Sequence, residues 1–332
     1  MPIIILIFCI FLSPSHLFAE GLKDGFYNEY DQNGIRIRTV EYHEGKPHGR
    51  FRTYYKDGLM KAFGTNNNGV LDGRAQAYYK SGVLKLVSFY RQGKLHGVST
   101  LYYPSGKIKA EITYIDGLQE GKTREYDETG KLTWERNYLN GREFGVSKQY
   151  DSRGAVYKEY DFKNGVQRDS IREFYPNGIL KGVWTSKNFV LTGRGSEFYE
   201  TGELVSEGNY KNGKLEGLVT LYHKNGKERA RVYYHNGIID DPAWHEYYDS
   251  SELWQEVPIL EGKQQGIGKE YWRNGKLKSE GTYADDMREG LFKEYYEDGL
   301  LQYEDIYEKN RLSKRREFNK DGKVIMEQVF YE

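Results

Sequence analysis

Polar and apolar residues alternate in short runs along most of the chain, and many runs break at an Asn-Gly or Asp-Gly pair. Leu84, Leu86, Ser88 and Tyr90 share one parity, and Lys85, Val87 and Phe89 share the other. Leu277, Ser279, Gly281 and Tyr283 stand in the same way against Lys276, Lys278, Glu280 and Thr282. A period of two predicts strands with one apolar and one polar face. Asn-Gly and Asp-Gly supply positive φ angles, so each pair of runs predicts a β-hairpin closed by a two-residue turn.

The turns recur at a fixed interval. Gly34, Gly58, Gly82, Gly106, Gly130, Gly154, Gly178, Gly202 and Gly226 are 24 residues apart. The series slips by one to Ser251 and resumes at Gly275, Gly299 and Gly322, which makes 13 positions. The predicted fold is all-β: an elongated, twisted array of about 13 consecutive antiparallel β-hairpin repeats with a 24-residue period. Twenty-six strands at about 4.8 Å each would extend on the order of 120 Å. The apolar face then needs cover from its own curvature, from a second copy or from a partner. Gly-x-x-x-Gly segments such as Gly93 to Gly97 and Gly213 to Gly217 join one hairpin to the next. Three places depart from this. Phe189 replaces the first linking glycine, Asp240-Asp241-Pro242 replaces the second near the slip, and Asn310 and Lys314 replace both in the last unit. The internal departures read as kinks and the last as a cap.

Aromatic residues follow the same period. One stands four residues before each turn glycine, as at Tyr54, Tyr78, Tyr102 and Tyr271, and this column reads as core. A second often follows it: Tyr55, Tyr79, Tyr103, Tyr199, Tyr248, Trp272 and Tyr296. These seven have the opposite parity and are the candidate contacts for a ligand or partner, since they offer area at low entropic cost. A third set, including Tyr42, Tyr90, Tyr114, Tyr283 and Tyr307, ends the second strands and should align into columns.

The N-terminus is different in kind. Residues 3–12 are continuously apolar, Ser13-Pro14-Ser15 interrupts them, and Ala19 offers a cleavage point. This layout predicts a signal peptide at 1–19 ahead of a repeat array at 20–332, with a retained N-terminal anchor as the alternative. Either form implies export: periplasmic, cell-surface or secreted. The one cysteine, Cys9, lies in the apolar run, so the array itself has no disulfide and no thiol chemistry.

Composition narrows the function further. Lys+Arg and Asp+Glu both number 49, and zero net charge argues against nucleic-acid binding, which needs a basic excess. The mean hydropathy of -0.82 would suit disorder, but 15% aromatic residues do not. The histidines are scattered without metal-ligand spacing, and Asp240-Asp241 and Asp285-Asp286 sit where turns favour Asp. Lys314-Arg315-Arg316 reads as a solvated basic strand. No nucleophile motif or phosphate loop is present, so neither enzymatic activity nor a cofactor is expected.

The unit resembles the MORN repeat in its bacterial variant form, most clearly at residues 211–217, 222–226 and 271–283. The resemblance covers about nine-tenths of the chain. It implies an elongated sheet of hairpins that works as an interaction scaffold. Some bacterial relatives are antitoxin-like, and eukaryotic ones scaffold complexes or associate with membranes. The expected function is therefore an exported, non-enzymatic scaffold for an unidentified protein partner, antitoxin- or immunity-like in one version, with a homodimer also open. The alternative is a cell-envelope module that binds glycan or lipid headgroups through its aromatic columns.

Overall fold

The computed structural model describes residues 23–330, so the signal segment predicted at 1–19 lies outside it. The described residues form strands and turns without a helix. Of the 32 strands, six are two-residue pieces set one to three residues ahead of a longer strand. The rest are the 26 arms that 13 hairpins require. The chain divides into two compact units, one up to Val166 and one from Gln167. Within each, every arm runs antiparallel to the one before it in sequence.

Both ends of the arms are tight, but the turn types are the reverse of the expectation. At the 24-residue series of turns, Gly34 through Gly322, the loop holds three residues. The Asp31 N–H donates to the Ile35 carbonyl and the Gly34 N–H to the Asp31 carbonyl, and Gly34 alone has a positive φ, 75°. This is a type I turn followed by a left-handed residue, and 13 such loops occur among the described residues. Asn33 supplies no positive φ. The two-residue turns lie at the other end, between hairpins. His43 pairs with Lys46 across Glu44-Gly45, and Ile115 pairs with Leu118 across Asp116-Gly117, with both loop residues left-handed. The sheet is thus one continuous meander within each unit.

The second linking glycine makes a bulge. Asn66 pairs with Leu71 and Ala62 with Ala77, so five residues on one strand face seven on the other. Bulges of this kind deepen twist. In the irregular copy the bulge gains a residue: Tyr234 pairs with Ile239, and Arg231 with His245. The additional residue lies in Asp240-Asp241-Pro242, where the Asp241 carboxylate accepts the Tyr233 N–H. The one-residue slip is absorbed there, and Ser251 takes the glycine's place downstream at φ 92°. The last unit, lacking both linking glycines, has the opposite change. Tyr307 pairs with Leu312 and Ile306 with Lys314, a bulge of one residue.

The inner face is the face that carries Leu86, Ser88 and Tyr90. In the first unit Ala62, Ala75, Ala77, Leu86, Ala110 and Ile112 are at most 1% exposed, and Tyr90, Leu95 and Tyr114 complete the same cluster. The chain's own side chains therefore cover this face. Burial pushes the Tyr90 hydroxyl up to about 12.

A single row crosses the inner face in each unit, one residue per strand. In the first it runs Val40, Phe51, Gly64, Ala75, Ser88, Ser99, Ile112, Thr123 and Arg136. In the second it includes Trp184, Gly195, Gly208, Val219, Val232, Trp244, Val257, Gly268, Gly281, Phe292, Asp305 and Arg315. Phe51, Trp184 and Phe292 each stand beside a glycine in this row, over which the ring lies. At Gly64 a Cβ would lie 2.7 Å from Cε1 of Phe51. Gly64 has no positive φ, so close approach is what requires it. The expected end-of-strand column also forms on this face: Phe292 meets Tyr283 and Tyr307 edge-on, with centroids 5.4 and 5.1 Å away.

Candidate functional site

The seven predicted contact aromatics occupy the edge formed by the three-residue loops. All seven are half-buried. The Tyr55 hydroxyl donates to the Tyr78 carbonyl at 2.8 Å, Tyr79 to Tyr102 at 2.7 Å, and Tyr103 to Tyr126 at 2.8 Å. Tyr199 donates to Tyr222 at 2.9 Å and Tyr248 to Tyr271 at 2.8 Å. Trp272 Nε1 and the Tyr296 hydroxyl reach Tyr295 and Phe318, each at 3.2 Å. Every one of these bonds ties a loop to the end of the equivalent strand in the next repeat. Tyr175 does the same to Phe198, a position that sequence reasoning passed over.

Where this position is not aromatic, the loop closes on itself. Oδ1 of Asp127 accepts the N–H groups of Thr129 and Lys131, and Oδ1 of Asp151 accepts those of Arg153 and Ala155. These are Asx turns. The position thus joins repeats when aromatic and caps its own loop when Asp. Cations lie over several of the ring faces: Lys85 over Tyr79 at 5.4 Å, Arg273 over Tyr248 at 4.6 Å and Lys278 over Trp272 at 5.4 Å. The polar ends of all seven residues, and one ring face of several, are engaged within the chain.

One consequence is measurable. Tyr79→Phe removes one hydroxyl and leaves the Tyr102 carbonyl without that donor, which should cost about 1 kcal/mol. Hydrogen exchange at residues 79–82 and 102–106 should accelerate. Unchanged exchange there would show that the bond carries no weight.

The column at Tyr54 and Tyr78, expected as core, belongs to the outer face. Its later members show this: the hydroxyls of Tyr126, Tyr222 and Tyr295 donate to Glu111, Glu207 and Glu280. Alternation along its own strand places the aromatic there: Tyr78 directly follows the inner-face Ala77, and the register shift at this point leaves the extra residue on the partner strand. The partner carboxylates stand in a row across the outer face. In the first unit the row runs Glu111, Arg124, Glu135, Lys148, Glu159. In the second it runs Glu256, Lys269, Glu280, Lys293, Glu304, Arg316, Glu327. The signs alternate at every step, so each interior charge has opposite neighbours on both sides. Arg124 Nε lies 3.1 Å from Glu135, and Arg316 Nε lies 3.3 Å from Glu327. The Lys314-Arg315-Arg316 cluster is neutralised in the same way, since Lys314 pairs with Glu327 and Arg315 with Asp305.

Two residues along each strand from these charges, about 7 Å away, a second row in the second unit is largely apolar and open, interrupted by Thr282 and by Lys314. Leu218 pairs with Tyr233, Leu291 pairs with Ile306, and Ile267 lies between. With Val329 these residues are 39–56% exposed. The row spans about ten strands, or roughly 43 Å. Soluble surfaces seldom leave so long an apolar strip open without a use for it.

Five segments of the chain, residues 95–116, 119–140, 191–212, 264–285 and 288–309, match the family described as MORN repeat variant. These five segments are MORN repeats. The irregular copy near residue 240 lies between the third and fourth of these MORN segments. No curated protein matches the sequence. Among solved structures, the chain is similar to one described as "Crystal Structure of TcdB2-TccC3-Cdc42", at 10% identity over 92% of this chain and 21% of that one, with a TM-score of 0.16. A second, "Crystal Structure of TcdB2-TccC3", shows 12% identity over 93% and 20%, with a TM-score of 0.17. The chain spans about a fifth of the length of these chains.

Proposed function

We propose that this MORN-repeat chain is an exported, non-enzymatic scaffold that holds a protein partner against the outer face of its second unit. The observation that carries this reading is the open, largely apolar row from Leu218 to Val329, broken by Thr282 and Lys314, beside the alternating charges. An apolar strip with a charged, hydrogen-bonding border has the anatomy of a protein interface. The loop-edge aromatics support the reading by elimination, because their polar ends are spent on holding repeats together. Export rests on the apolar run at residues 3–12. An antitoxin- or immunity-like role is one form of such a scaffold, with the held partner being the toxin.

The test is a paired capture from the native envelope fraction. The wild-type chain and an Ile267→Glu, Leu291→Glu variant serve as baits after circular dichroism has shown equal folding. A partner retained by the wild type and lost by the variant supports the assignment. The same proteins retained by both would remove the outer face from consideration.

A further inference from the structure

The irregular copy holds a cavity, and its origin can be read from the repeat. In the regular copies on either side, the second strand ends in Tyr234 and Tyr283, whose rings lie on the inner face. The equivalent residue here is Ile259, one ring short. A second gap in this column, at Ser186, is filled from within: Gln167 is 1% exposed and its Nε2 donates to the Ser186 hydroxyl at 2.7 Å. Nothing fills the gap at Ile259. The space left is about 320 Å³, within the range of small-molecule sites.

Its lining is chemically mixed. Ile239 and Ile259 supply apolar surface, and Trp244 supplies an aromatic ring. Glu246 is 8% exposed and is held in place by Gln255, whose Nε2 donates to it at 2.5 Å. Asp286 and Gln264 stand at the margin, where one Asp286 oxygen accepts the Gln264 N–H at 2.7 Å. Trp244 Nε1 is buried and has no hydrogen-bond partner. A buried donor left unmet costs about 1–3 kcal/mol, so an occupant that accepts from it is favoured.

We propose that this cavity binds one neutral saccharide ring. Such a ring offers hydroxyl donors to Glu246 and Asp286, a hydroxyl oxygen to the Trp244 N–H, and a C–H face to Trp244 and the two isoleucines. An organic cation would satisfy the carboxylates and leave the indole N–H unmet. An anion would meet the Asp286 carboxylate and a Glu246 that Arg229 Nε already partners at 3.6 Å. The site is separate from the outer-face row and stands or falls independently of it.

Calorimetric titration of the whole chain with methyl α-glucoside, methyl β-galactoside, methyl α-mannoside and N-acetylglucosamine tests the assignment, with choline and acetate as charged controls. Saturable binding of at least one sugar is expected. Ile259→Tyr restores the column and fills the space, so it should weaken that binding at least tenfold without lowering the melting temperature. Trp244→Phe keeps an aromatic ring but deletes the N–H, and should weaken binding several-fold. Failure of all four sugars, binding of choline alone, or undiminished sugar binding by both variants would overturn the proposal.

Discussion

Arg315→Ala should be among the most damaging single changes in the described array. Asp305 is 1% exposed, and Arg315 grips it in two places, Nε to Oδ1 at 2.8 Å and a terminal nitrogen to Oδ2 at 2.6 Å. The contact holds the guanidinium pKa above its ordinary value, chiefly through that hydrogen bonding. The same guanidinium covers the Tyr303 ring at 4.4 Å. Deleting it strands a carboxylate out of reach of water, and breaking a buried pair in this way costs about 3–5 kcal/mol. Because repeat arrays unfold in pieces, the loss should be read locally, as faster hydrogen exchange across residues 301–318, together with a lower denaturation midpoint. Replacing both partners by leucine removes the stranded charge and should recover most of the loss. An Arg315→Ala chain as stable as the wild type would show that water reaches Asp305.

The second large effect is expected at Gly281. A Cβ there would sit 2.1 Å from Cδ1 of Phe292, with two further ring atoms at 2.3 and 2.4 Å. Phe292 is 7% exposed and wedged between Tyr283 and Tyr307, so it has little freedom to retreat. Gly281→Ala should therefore cost about 1–3 kcal/mol, the usual penalty for overpacking. In a Phe292→Ala background the same methyl meets open space, and the added cost should fall close to zero. The double-mutant cycle isolates this coupling. Additive losses would mean that the backbone, not the ring, demands glycine at this position.

The period, the hairpins and the inner-face alternation at Leu86 and Leu277 are legible in the sequence because each depends on neighbours one or two residues apart. The turn types are not. Asn-Gly and Asp-Gly occur at both ends of the arms: Asn68-Gly69, Asn140-Gly141 and Asp116-Gly117 are true two-residue turns with both residues left-handed, whereas in Asn33-Gly34 only the glycine is, so the dipeptide alone does not tell the two loops apart. The outer charge row escapes a linear reading for a geometric reason. Its neighbours in space are 13 and then 11 residues apart, as in Glu111, Arg124 and Glu135, and that alternation appears only once the register is known. The candidate aromatics were found by parity, but parity carries no information about a hydroxyl that reaches along the loop edge to the next repeat. The missing ring at Ile259 is visible in the sequence as a gap in a column. That the gap stays open, unlike the one at Ser186, depends on a glutamine 19 residues away.

The bulge at Asp240-Asp241-Pro242 also bears on how a chain of this kind can change over generations. Its turns are closed by fixed hydrogen-bonded rings, and the aromatic bonds along the loop edge demand an acceptor 22 or 23 residues on. A stray residue inserted into a loop or strand would put every later side chain on the wrong face. Duplication or excision of one whole copy preserves every partner. Single-residue gains and losses are tolerated at the bulge, as the longer one at 240–242 and the shorter one in the last copy show. Novelty in such a lineage enters where the ruler is allowed to slip, and in this chain the enlarged bulge adjoins the one copy whose missing ring leaves an open hollow.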